Sequence, residues 1–213
     1  MNDKGFYKLR IYPILFMVLF TLVCIALVSG IFLRTQDRVK LNESLFLRRA
    51  VLNAAGIAMP QDLAAINELY LKRVREIPPG GQEAGAISYF ELLDENGILD
   101  GYALFSYGPG LWGEITAVIA FDKDKATLKG VEFIKNSETP GLGARIMEAW
   151  FKDQFRGKKG PFKLVPEGTP TGPGEMDAIT GASRTSEFVR NIINNGIINA
   201  AKVGTAGEGG SNG

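Results

Sequence analysis

Residues 11–33 carry no charged side chain and consist almost entirely of Ile, Leu, Phe, Val, Met and small residues. As a helix rising about 1.5 Å per residue, the run reaches roughly 34 Å, enough to cross the ~30 Å hydrocarbon layer of a bilayer with modest tilt. A cleaved signal peptide has an apolar region of only about 7–15 residues, and Val28-Ser29-Gly30 is a poor cleavage site. The pattern predicts a retained transmembrane helix with Pro13 in its first turn, where a missing N–H is harmless. Lys4, Lys8 and Arg10 precede the span and Arg34, Arg38 and Lys40 follow it, so charge alone does not orient it.

Beyond the span the periodicity changes twice. Leu41, Leu45, Arg48, Arg49 and Leu52 sit at helical spacing and predict a charged helix over 34–55, stopped at Gly56. A second helix is expected over 62–75, ended by the Pro-Pro-Gly-Gly break at 78–81. Runs rich in Ile, Val, Phe and Tyr then predict strands at 86–93 and 98–107, around the hairpin signal Asp94-Glu95-Asn96-Gly97. Two more are expected at 114–121 and 127–135. A helix at 144–155 and a short strand at 162–165 follow, then a Gly/Pro-rich loop at 166–174. Phe188, Ile192, Ile193, Ile197 and Ala201 mark one face of a final helix over 188–203. Short loops between strands imply an antiparallel sheet of at least four strands, and the helices around it give an α+β fold. The expected organisation is an N-terminal segment at 1–10, the membrane helix at 11–33, a helical stalk and linker at 34–81, a folded domain at 82–203, and a Gly-rich disordered tail at 204–213.

Composition narrows the chemistry. With 213 residues, a formal charge of +1 and 46% hydrophobic content, the chain allows one ordinary domain plus the membrane segment and presents no basic face for nucleic acid. It has no histidine and a single cysteine, Cys24, inside the apolar run. Haem, zinc and iron–sulphur sites need His or several Cys ligands, and the usual nucleophilic triads need His, so neither a metal site nor a catalytic residue is expected. Redox chemistry here would have to rest on an organic cofactor.

The densest local chemistry lies just before the last helix. In Asp177-Ala178-Ile179-Thr180-Gly181-Ala182-Ser183-Arg184-Thr185-Ser186, four hydroxyls crowd a turn with little bulk at Gly181 and Ala182. Ser183 to Ser186 fall at or just before a helix N-terminus, where unpaired N–H groups and the positive end of the helix dipole favour an anion such as phosphate. Simple helix capping by Ser and Thr is the alternative reading.

Two upstream loops add to this. Gly108-Pro109-Gly110-Leu111-Trp112-Gly113 matches a dinucleotide-binding string, but a strand and not a helix follows it, which excludes a Rossmann site. Leu111 and Trp112 read equally as an apolar wall beside a flat ring or as a hydrophobic plug. Ser137-Glu138-Thr139-Pro140-Gly141-Leu142-Gly143 reads as a turn opening a helix. Lys152, Arg156, Lys158, Lys159 and Lys163 form a basic cluster, either a solvated face or a docking surface.

Asp177, Thr180, Gly181, Ala182 and Ser183 fill, in order, the flavinylation motif of the FMN-binding domain shared by the Rnf complex G subunit and the Na+-pumping NADH:quinone oxidoreductase C subunit. The chain resembles that family further in Glu138-Thr139-Pro140-Gly141-Leu142-Gly143, its second signature, and in the Gly-Leu-Trp loop. The resemblance implies that Ser183 carries FMN through a phosphoester made from FAD by a separate flavin transferase. Arg184 would then pair with the phosphate, with Thr180, Thr185 and Ser186 as the neighbouring hydroxyls. It implies that Glu138, Thr139, Gly141, Leu142 and Gly143 pack on the isoalloxazine, with Leu111 and Trp112 beside it. The implied partners are other membrane subunits of an ion-translocating ferredoxin:NAD+ or NADH:quinone complex. A cytoplasmic N-terminus at the bacterial inner membrane and a domain on the periplasmic side are implied as well. Chain length is closer to the Rnf G subunit, whereas the Gly-Leu-Trp loop is similar to the C subunit. The rival readings are a tethered assembly module without cofactor and a redox sensor.

Overall fold

The computed structural model describes residues 3–78 and 88–203, with side chains from residue 11 onward except those of residues 37 and 40. Residues 79–81 of the break expected at 78–81, the start of the strand expected from 86 and the tail from 204 lie outside the described residues, as do the side chains of Lys4, Lys8, Arg10 and Lys40. The chain divides into two units, Met1–Ser44 and Leu45–Gly213.

The first unit is helical. Helix α1 runs Asp3–Ala54, so the membrane segment and the expected stalk are one helix. Within it Ile11–Gln36 has a mean hydropathy of 2.8, leaves its apolar side chains unburied, and is long and apolar enough to cross a membrane. Because the helix begins ten residues earlier than Pro13, that proline lies in its interior and not in a first turn, and one backbone hydrogen bond is missing there.

In the second unit the end of α1 stops as the sequence predicts. Gly56 takes φ +72°, its amide donates to Asn53 and the amide of Ile57 to Leu52, closing the helix end. Helix α2, Leu63–Arg73, is capped by the Asp62 carboxylate on the amide of Ala65 at 3.0 Å. The helix expected to reach 75 instead gives way to strand β1, Val74–Ile77, because residues 74–77 find hydrogen-bonding partners along β2 (Tyr89–Leu93). Strands β3 (Leu99–Pro109), β4 (Glu114–Asp122) and β5 (Leu128–Lys135) complete an antiparallel sheet ordered β1-β2-β3-β4-β5.

Period-two alternation gives this sheet two buried faces. On β4, Ala117, Ile119 and Phe121 point into one core with Leu104, Phe133, Phe151, Ile192 and Ile193. Val118 and Ala120 point into the other, against Val51, Leu52 and Ile66 from α1 and α2. The helix expected at 144–155 is broken into a 3-10 turn, Gly143–Met147, and helix α3, Ala149–Asp153, by extended backbone at Glu148. Strand β6, Lys163–Val165, pairs in parallel with β7, Glu175–Asp177, a three-residue element too short to leave a periodic signal.

Helix α4, Ser183–Ala200, lies across the first of these faces. Its buried stripe is Val189, Ile192, Ile193, Gly196 and Ala200, with Phe188 half-buried and Ala201 exposed. Gly196 lets the helix approach the sheet: a Cβ there would lie 2.4 Å from Ile119 Cδ1. The buried Ser106 hydroxyl donates to the carbonyl of Ile192 at 2.6 Å, satisfying a polar group inside the layer. The carboxyl end of α4 reaches the β4–β5 turn, where Lys125 donates to the carbonyl of Val203. Its amino end therefore lies at the opposite end of the sheet, beside the β3–β4 hairpin tip. Four of the five residues of the basic cluster are engaged within the fold: Lys152 pairs with Glu132 at 2.6 Å, Lys159 with Asp124 at 2.9 Å, Arg156 with Asp153 and the carbonyls of Asn53 and Lys129, and Lys158 with the carbonyl of Glu175.

Candidate functional site

The three loops singled out in the sequence meet at that end of the sheet. They enclose a cavity of about 340 Å³ lined by Leu111 from the hairpin tip, Glu138, Thr139, Leu142 and Gly143 from the loop after β5, and Gly181, Ala182, Ser183, Arg184 and Thr185 at the start of α4. Asp177, Thr180, Gly141 and Trp112 do not line it.

The 177–186 loop is built by hydrogen bonds both within it and to the preceding loop. Ser186 Oγ accepts from the amide of Ile179 at 2.9 Å and donates to the carbonyl of Ala182 at 3.0 Å. Gly181 takes φ +81°, and a Cβ there would come within 3.2 Å of Leu142 Cδ2, so the turn and the close approach both call for glycine. Asp177 accepts from the amide of Gly168 at 2.5 Å, tying the motif to the preceding loop and not to the cavity. The amide of Thr180 donates to Glu167 at 2.8 Å. Thr180, through its amide and hydroxyl, holds the Glu167 carboxyl below the usual range, and Arg145 nearby adds to the effect.

The hydroxyls of the motif thus separate by environment. Thr185 and Ser186 are buried and both are hydrogen-bonded, whereas Ser183 and Thr180 are exposed. Ser183 alone of the two exposed ones lines the cavity. It is the first residue of α4, whose N-cap, Ala182, offers no side-chain cap, and the first turn carries no acidic residue. The first-turn amides and the dipole of this 18-residue helix therefore face the Ser183 side of the cavity, with the Glu138 carboxylate held at the neighbouring Thr185 hydroxyl. The Arg184 guanidinium, expected on a phosphate, pairs with Glu187 at 2.6 Å and lies over the Phe188 ring.

Glu138 is only 5% exposed. One oxygen accepts from the amides of Leu111 at 2.8 Å and Trp112 at 3.3 Å, and the other accepts from the Thr185 hydroxyl at 2.5 Å. The carbonyl of Thr139 accepts from Leu142 and Ala144, closing the Thr139–Leu142 turn with Gly141 at φ +76°. Leu111 and Leu142 are half-exposed and present apolar surface at the cavity rim. Trp112 is 70% exposed, which removes the plug reading: the indole fills no core. Glu167 and Arg145 support the 177–186 loop yet leave no signal in the sequence, since Glu167 lies in an irregular Gly/Pro-rich loop whose fold no local pattern dictates.

A model of the FMN-binding domain matches residues 110–198, which include the second and third loops and the first from Gly110 onward. The G subunit of the Na+-translocating ferredoxin:NAD+ oxidoreductase complex of Acetobacterium woodii is 30% identical over 201 residues, covering 90% of this chain and 89% of its own. The C subunit of the Na+-translocating NADH-quinone reductase of Yersinia pestis is 28% identical over 174 residues, 78% of this chain and 59% of that relative's length. The solved structure of the reductase C subunit from Parabacteroides distasonis superposes with a TM-score of 0.64 at 26% identity, over 78% of this chain and 95% of that one. With the cavity, the hydroxyl-rich loop and these likenesses together, the chain belongs to the FMN-binding domain family.

Proposed function

We propose that this chain is the membrane-anchored flavoprotein subunit of an ion-translocating oxidoreductase complex and carries FMN as a phosphoester on Ser183. The observation that carries the reading is the separation of the hydroxyls: Ser183 is exposed, lines the cavity and opens an uncapped helix, while Thr185 and Ser186 are buried and bonded. The cavity fits the group. Its α4 side suits an anion, and its rim offers the apolar surfaces of Leu111 and Leu142 to a planar ring.

In the attachment, Ser183 Oγ displaces AMP from the FMN-side phosphorus of FAD; the phosphoanhydride bond breaks, the serine gives up its proton and nothing is oxidised. A flavin transferase is the partner for this step, the chain being read as supplying the tether and not the catalyst. Bound FMN supplies the uptake and release of electrons. The first-turn amides of α4 would favour the charge on its phosphate, and Arg184 would add to this only by leaving Glu187.

Between the two complexes, the near-complete length match to the Acetobacterium G subunit, against 59% of the Yersinia C subunit, favours a ferredoxin:NAD+ type. Anchoring by Ile11–Gln36 at the bacterial inner membrane, with the domain on the periplasmic side, belongs to the same reading, as do the other membrane subunits as partners. Covalent attachment suits a compartment where lost FMN is not readily replaced. The test is to co-express the full chain with a flavin transferase, denature it, and measure intact mass and in-gel flavin fluorescence. A colourless chain of unmodified mass would leave a tethered module without cofactor.

A further inference from the structure

We propose that Glu138 is the positioning residue of this cofactor site: it clamps the Leu111 and Trp112 amides to Thr185, and so fixes the apolar wall relative to Ser183 without being a ligand itself. The inference rests on the reading above only in taking the cavity to hold a planar cofactor attached at Ser183.

A carboxylate withdrawn from water is costly unless its oxygens are bonded. Glu138 meets that requirement entirely with donors of the protein, and those donors come from segments 26, 27 and 47 positions away in the chain. Three of its roughly four acceptor positions are filled in this way, leaving little for a ligand. Among the described residues no cation pairs with it, so what holds it is the geometry of the three donors.

Two glycines record how tightly the backbone closes around the carboxylate. A Cβ at Gly110 would lie 2.5 Å from Oε1, and one at Gly143 would lie 2.7 Å from Oε2 and 2.7 Å from the Thr185 hydroxyl. Both loops therefore depend on glycine because Glu138 stands between them. Leu111, whose amide is held, lines the cavity, and Thr185 sits in the same first turn as Ser183. Moving the carboxylate would loosen the wall and rotate the acceptor at once.

The test uses the full chain in detergent, with and without a co-expressed transferase. Hydrogen exchange over residues 110–116 reads the clamp in the unmodified protein, and intact mass with visible circular dichroism of attached flavin reads the site. Glu138→Ala is expected to lose amide protection at Leu111 and Trp112, to slow attachment by about tenfold or more, and to weaken the flavin signal, since small misplacements cost positioned reactions heavily. Glu138→Gln, which retains an acceptor for the two amides, is expected to restore most of each. Thr185→Val breaks only the helix side and should slow attachment while the hairpin amides stay protected; it carries the test if Glu138→Ala does not fold. Unchanged protection in Glu138→Ala, or lost protection with wild-type attachment and flavin signal, overturns the proposal. A Gln variant as defective as Ala also overturns it, because charge and not position would then be what matters. A wild-type chain that gains no flavin overturns the functional reading and this proposal with it, and the exchange data distinguish that outcome from a clamp that does not exist.

Discussion

Ser186 Oγ lies 2.9 Å from the amide nitrogen of Ile179, seven residues behind it, and this contact folds the motif loop back onto the first turn of α4. One turn of helix separates Ser186 from Ser183, yet one hydroxyl is enclosed and the other is open to the cavity.

The two serines should respond oppositely to alanine. Ser183→Ala removes an exposed hydroxyl and should change stability by less than about 0.5 kcal/mol while abolishing covalent flavin. Ser186→Ala leaves the Ile179 amide without its acceptor and should cost about 1–3 kcal/mol. Denaturant unfolding of the unmodified protein and intact mass of the co-expressed one separate the two effects.

Gly181→Ala should destabilise the loop by about 1–2 kcal/mol, because an L residue is strained at φ +81° and the added methyl meets Leu142. Gly181→Asn should be milder on the backbone, since Asn tolerates the left-handed region better. Unfolding curves for the pair distinguish backbone strain from crowding against Leu142.

At Gly196 helix propensity and packing disagree. Alanine would favour the helix by about 1 kcal/mol, but its methyl would fall 2.4 Å from the fully buried Ile119 Cδ1. Overpacking costs about 1–3 kcal/mol, so Gly196→Ala should be net destabilising. A variant more stable than wild type would show that Ile119 repacks without cost.

Acid should loosen the acceptor loop. The Glu167 carboxyl is held below its usual range by Thr180, so the contact is present above the ordinary carboxylate range, near about pH 4, and is lost as pH falls through the lowered value. Exchange at the Thr180 amide, corrected for intrinsic rate, should rise on acidification in wild type and be less pH-dependent in Glu167→Gln.

Alkali should weaken the other face of the sheet. Burial, with Glu76 adding and Arg48 opposing, pushes the Tyr70 phenol from 10.0 up to about 12. Between those values the unfolded chain has released a proton that the folded one retains, so stability is intact below pH 10.0 and falls as pH rises towards 12. The slope is at most about 1.4 kcal/mol per pH unit, less what solvent screening removes. Tyr70→Phe should flatten it in denaturant titrations across this range.

Periodicity is legible where an element is long or its ends are chemically marked. The membrane run, the stop at Gly56 and the strands β3, β4 and β5 follow from local pattern, because side-chain spacing and turn residues act within a few positions. Strand β1 is hidden because residues 74–75 continue a helical pattern, and only pairing with β2 makes them extended. Strand β7 and the break at Glu148 are hidden for the same reason: three residues carry no period, and the neighbours that set them are distant in the chain.

The sequence by itself determined that the chain has a segment long and apolar enough to cross a bilayer, that it holds no histidine and one cysteine, and that a hydroxyl-rich turn opens its last helix. Those properties reside in composition and nearest neighbours. Only the tertiary structure decided which hydroxyl opens on the cavity, and that the Glu138 carboxylate is engaged by the protein's own amides and Thr185. Burial is a property of what packs against a group, and the partners that enclose Thr185 and Glu138 lie on loops that meet only once the sheet has formed.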